Sequence, residues 1–144
     1  MVREFEKGND MEKISTKTSL EDYKEWLLEL GFDCEEKEGV EGLRITKNGL
    51  RIYMAKTKHD NVIFLINFQS KDSLDENLIL SKINEINKNL VSGCLSYDDG
   101  TIQFGFSLIK PYGMGQKGFS NFLDYNIMLI GFIIEELGLS EIIK

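Results

Sequence analysis

Gly113, Gly115 and Gly118 spell GxGxxG in the stretch PYGMGQKGF, between an apolar strand-like run and a helical one. Glycines so spaced let backbone amides approach a pyrophosphate at a helix N-terminus. A dinucleotide site also needs a βαβ unit with an acidic residue closing its second strand. Few residues follow the helix here and no parallel strand does, so a strand-to-helix loop outweighs a nucleotide-binding enzyme. Lys117 would attract an anion but opposes the helix dipole. His59 is the single histidine, so no mechanism or zinc site needing two imidazoles is available, and its setting, KTKHDN, reads as a hairpin turn. Cys34 and Cys94 lie in neither a CxxC nor a His-paired spacing, so neither a disulfide scaffold nor a zinc knuckle is indicated and two reduced thiols are expected. The acidic run EEKEGVE (35–41) lacks calcium-loop spacing, and Asp98-Asp99-Gly100 reads as a hairpin turn before a metal site. The expectation is a protein that is not an enzyme, with no catalytic, cofactor-binding or metal-ligating residues.

The elements that position these residues follow from length and periodicity. A chain of 144 residues is the size of one ordinary domain and hides roughly 70% of its unfolded surface. Seventeen basic against twenty-four acidic residues leave a net charge of −7, the wrong sign for nucleic acid or an anionic membrane surface. The apolar run Ile127 to Ile134 is well short of the roughly 20 residues that span a bilayer, and the N-terminus shows no leader-like apolar core. The expected compartment is therefore the cytoplasm.

Residues 1–17 are polar and aperiodic and read as a tail, with residues 18–144 a single domain. Ser19 and Asp22 stand at capping-box spacing before Leu20, Tyr23, Trp26, Leu27 and Leu30, and Gly31 is placed to end that helix. The period then drops to two: Leu43 and Ile45, then Leu50, Ile52 and Met54, alternate with polar residues across a KNG turn. VIFLIN (62–67) shows no alternation and predicts a strand covered on both faces. A second helix carries Ser73 and Glu76 at capping-box spacing and Leu74, Ile79, Ile83, Ile86 and Leu90 on one side. Strands over 91–97 and 101–109 meet at DDG, Pro111 stops the ladder, and GMGQKG leads into a third helix, about 120–137, capped by Gly138. The fold class is α+β: a five-stranded antiparallel sheet with flanking helices, in the order α-β-β-β-α-β-β-α.

Residues 84–108, NEINKNLVSGCLSYDDGTIQFGFSL, run a helix ending in Asn84-x-x-Asn87 into a strand, an acidic turn and a second strand. With LGFD (30–33) and VIFLINF (62–68), this stretch resembles the YbjN-type domain, a group provisionally described as bacterial sensory transduction regulators. The similarity spans about residues 18–138. Its element order is also similar to that of the small acidic chaperones of type III secretion, which are dimers holding partly unfolded clients. The resemblance implies an antiparallel sheet with flanking helices and a role in binding proteins, and it hands over no catalytic residues.

The third helix carries the sharpest clue. At 100° per residue, Phe119, Phe122, Leu123, Ile127, Ile130, Ile133, Ile134 and Leu137 share a broad face with Asn126. Nearly opposite lie Tyr125, Met128 and Phe132, with Leu129 on their flank and Asn121 and Glu135 around them. Either the chain's own N-terminal segment or first helix covers this second stripe, or another chain does. Interfaces favour Tyr, Phe and Met. The expected partner-binding residues are Tyr125, Met128, Leu129 and Phe132, and the expected partner is a protein client or a second copy in a homodimer. The leading function is a chaperone, adaptor or regulator, with an acidic, immunity-type inhibitor of a basic toxin as the alternative.

Overall fold

The computed structural model describes residues 11–36 and 41–144. It contains α1 (Leu20–Glu29), β1 (Asp33–Glu36), β2 (Gly42–Lys47), β3 (Leu50–Lys56), β4 (Val62–Gln69), α2 (Glu76–Asn87), β5 (Cys94–Asp98), β6 (Thr101–Leu108) and α3 (Gln116–Glu135). A short 3-10 turn, Leu139–Glu141, follows α3. The strands form one six-stranded sheet in the order β1-β2-β3-β4-β6-β5, antiparallel at β1-β2, β2-β3 and β5-β6. The expected five-stranded sheet thus gains a strand at its edge. That strand, DCEE, has no apolar alternation to announce it; it exists because it pairs with β2, setting Cys34 against Ile45 and Glu36 against Leu43. Two ion pairs hold it, Lys24 with Glu36 (2.9 Å) and Arg44 with Glu35 (2.9 Å).

The chain divides into two compact units, Met1–Ile63 with Leu108–Asn121, and Phe64–Ser107 with Phe122–Lys144. In the first, the Ser19 capping box forms as expected: Ser19 Oγ accepts from Asp22 N–H (3.2 Å) and Asp22 Oδ2 accepts from Ser19 N–H (2.8 Å). Tyr23, Trp26 and Leu27 are buried on one side of α1. Phe119 sits against both aromatics, 5.6 Å from each ring centroid. Residues 11–17, read from sequence as tail, are partly tied down here: Ile14 is buried, and Met11 O accepts from Trp26 Nε1 (3.0 Å). Residues 1–10 of that tail lie outside the described residues.

The second unit is centred on aromatic packing. Phe64 stacks on Phe106 at 5.1 Å and 8°, and Phe122 closes on both rings at 5.8 and 5.7 Å. Ile79, Ile83 and Ile86 bury one face of α2. Asn87 fixes α2 against β5: its Nδ2 donates to the Leu95 carbonyl (2.9 Å) and its Oδ1 accepts the Leu95 N–H (2.8 Å). That is the physical content of the Asn in the 84–108 motif, a structural clasp.

Three further expectations are corrected. In β4, Val62, Phe64 and Ile66 are buried, whereas Ile63 and Asn67 are exposed, so the strand alternates and only one of its faces is covered. An aliphatic residue on the open face hid the period, because Ile63 and Leu65 look as apolar as their buried neighbours. The N-cap of α2 is Asp75, in extended conformation, and not Ser73. Helix α3 begins at Gln116, inside the glycine-rich stretch, and ends at Glu135; Gly138 (φ 89°) instead opens the 3-10 turn.

Candidate functional site

The residues that suggested chemistry are not brought together. The glycine-rich loop is engaged by the chain's own segment: Lys13 and Gly115 form an antiparallel bridge. Ile14 N–H donates to Met114 O (2.9 Å), and Gly113 N–H donates to Ile14 O (2.7 Å). The Gly113 amide that a phosphate would need therefore already has a carbonyl partner, and Gly118 lies within α3. His59 is exposed in the β3-β4 turn, where its N–H donates to Thr57 Oγ1 (3.3 Å). Cys34 is half-buried, and burial pushes its thiol pKa up, opposite to what a nucleophile requires. Cys94 is exposed and free. Asp99 (φ 42°) and Gly100 (φ 84°) make the β5-β6 turn, as DDG predicted. Glu35 and Glu36 of the acidic run are ion-paired, and residues 37–40 of it lie outside the described residues. Among the described residues no group of three His, Cys, Asp or Glu is arranged to hold a metal ion.

One polar cluster escaped the sequence reading because its members are far apart in the chain. Tyr112 Oη donates to Asp60 Oδ2 at 2.6 Å, and Lys56 Nζ lies 3.0 Å from Asp60 Oδ1. The Tyr112 hydrogen bond, then Lys56, hold the Asp60 carboxyl below the usual carboxylate range. The same bond raises Tyr112. A depressed carboxylate contributes stability that is present at neutral pH and lost as pH falls through its folded pKa; a raised phenol contributes stability lost as pH climbs through its own. The cluster therefore loosens at both ends of the pH range. Tyr112→Phe is expected to move the Asp60 pKa upward towards the ordinary carboxylate value, measured by carboxyl-carbon NMR titration; an unmoved pKa would assign the depression to Lys56.

The apolar stripe on α3 is where the structure departs from an ordinary surface. Phe119, Leu123, Asn126, Ile130 and Ile133 are buried along the opposite face. Asn126 is tolerated there because its Nδ2 donates to Phe122 O (2.9 Å) and Ser92 Oγ donates to its Oδ1 (3.5 Å). Tyr125, Met128 and Phe132 are 48%, 73% and 51% exposed, and Leu129 is half-buried beside them. About half or more of each of Tyr125, Met128 and Phe132 is therefore left open to solvent. They stand at i, i+3, i+4 and i+7, the pattern of a helix surface that meets another apolar face. Gly131 opens space among them: a Cβ there would meet nothing within 4 Å. The stripe is bracketed by exposed Asp124 at one end and exposed Glu135 and Glu136 at the other. Sequence reasoning had noted Glu135; Asp124 and Glu136 were legible from the same helical wheel.

No family model matches the chain, and no curated protein does. A solved structure does match: crystalline YbjN from E. coli, a protein provisionally assigned as a transcription regulator, superposes with a TM-score of 0.70 at 16% identity. The match covers 88% of this chain and 96% of that one. This chain has the YbjN fold. The YbjN fold is thus reached with few shared residues, and the resemblance read from residues 84–108 is one of architecture. None of the helices is long and apolar enough, among the described residues, to cross a membrane.

Proposed function

We propose that this chain is a non-catalytic protein-binding domain, a chaperone, adaptor or regulator of the bacterial cytoplasm, that receives its partner on the outer face of α3. The observation that carries the reading is the continuous stripe of Tyr125, Met128 and Phe132, about half or more exposed on a helix whose other face is already the core. Burying three such side chains contributes on the order of 4 to 8 kcal/mol of gross transfer free energy before the costs of association. The provisional assignment of YbjN as a regulator supports a binding role.

A photo-crosslinking side chain placed at Met128 of the full chain, expressed in bacterial cells, tests this. We expect a discrete protein adduct that disappears in a Tyr125→Asp, Phe132→Asp background whose circular dichroism stays native, and no such adduct from exposed Ser96. An adduct of twice the chain's mass identifies the homodimer expected from the secretion-chaperone resemblance. If the double variant unfolds, the stripe is core and the reading fails.

A further inference from the structure

The charges around the stripe select its occupant. Asp124, Glu135 and Glu136 are exposed, and none has an ion-pair partner among the described residues. No Lys or Arg occurs between Lys117 and Lys144, so nothing on α3 beyond its first turn offsets them. Glu135 also stands in the last turn of α3, where the helix dipole already presents negative potential and no basic residue compensates it. An apolar stripe bounded at both ends by carboxylates with no ion-pair partner among the described residues is complementary to cations.

A second copy does not supply them. Antiparallel pairing of two α3 helices about the stripe's centre brings Asp124 of one chain within about one turn of Glu135 of the other, acid on acid at both ends. Lys117 lies seven residues before Asp124, about 10 Å along the helix at 1.5 Å per residue. Parallel pairing sets each carboxylate against its own copy. Like charges so placed oppose association, whereas opposite charges steer it and fix register.

We propose that the occupant of this stripe is a cationic amphipathic helix of another protein. Its apolar side chains lie on Tyr125, Met128, Leu129 and Phe132. Two basic groups about 16 Å apart, eleven residues at 1.5 Å each, face Asp124 and the Glu135-Glu136 pair. The inference rests on the protein-binding reading above. It names the partner's chemistry.

The probes are two synthetic helical peptides with the same Leu stripe at i, i+3, i+4 and i+7, one with Lys at the two flanking positions eleven residues apart and one with Glu there. Fluorescence anisotropy against the full chain at low salt is expected to show the Lys peptide binding about tenfold or more tighter, the order set by two partly exposed ion pairs. The gap narrows as salt rises. Asp124→Lys with Glu135→Lys, both on the surface, is expected to invert the preference. Equal binding of both peptides, abolished by Phe132→Asp, overturns the cationic inference and leaves the α3 site standing. Binding insensitive to Phe132→Asp, or no binding of either peptide, overturns both. A concentration-dependent dimer dissolved by Phe132→Asp assigns the stripe to a second copy and overturns the cationic partner while keeping the site.

Discussion

Phe119→Ala is expected to destabilise the protein by about 3 to 5 kcal/mol, the usual cost of deleting a buried aromatic ring. Phe119 is fully buried against Tyr23 and Trp26, and it occupies the first turn of α3. Truncation leaves a cavity between two rigid aromatics that close poorly over it, so the lost transfer energy is joined by a cavity penalty. In a domain of this size the midpoint of thermal unfolding should fall by roughly 10 to 17 °C. Two local signals accompany it. Trp26, the single tryptophan, should shift its emission to the red. The Tyr23 phenol, pushed up to about 12 chiefly by burial and then by the Asp60 charge, should titrate closer to its ordinary value. A loss under about 1 kcal/mol, with unshifted emission, would mean that Tyr23 and Trp26 collapse into the gap.

Gly93→Ala should cost about 2 to 5 kcal/mol, an unusual toll for adding one methyl group. Gly93 adopts φ 77°, where a side chain is strained. A Cβ there would lie 2.5 Å from Cε1 and Cζ of Phe104 and 3.1 Å from the Gly105 carbonyl oxygen. Phe104 is fully buried, so its ring has nowhere to retreat. Gly100→Ala is the matched control: φ is 84° but the added carbon meets nothing within 4 Å, so only the backbone term of about 1 to 2 kcal/mol remains. Urea unfolding of both variants separates strain from collision. Equal losses at the two sites would show that the Phe104 ring yields.

What was legible in the sequence was whatever local periodicity encodes. Leu20, Tyr23, Trp26 and Leu27 announce α1, and Ile102, Phe104, Phe106 and Leu108 announce β6, because burial on one face imposes a repeat that needs no knowledge of neighbours. The position of Tyr125, Met128 and Phe132 opposite the buried face of α3 was legible for the same reason. Strand β1 was not, since DCEE is a strand only by virtue of what lies beside it. The Asp60-Tyr112 bond joins residues fifty-two positions apart and leaves no local trace. Nor does the pairing of Ile14 with the glycine-rich loop, which turned a phosphate-like signature into a resting place for the chain's own backbone. Tertiary partners decided each of these.

The clasp of Asn87 on Leu95 also governs how the sheet ends. Strand β5 is the outermost strand on its side, and Leu95 gives its outward N–H and C=O to a side-chain amide. An incoming strand would have to evict Asn87 to form its central hydrogen bonds there. At the opposite border, β1 is four residues long and carries Glu35 and Glu36. Both borders thus resist extension by a foreign strand, which protects the molecule from edge-to-edge polymerisation and closes off recognition by strand addition.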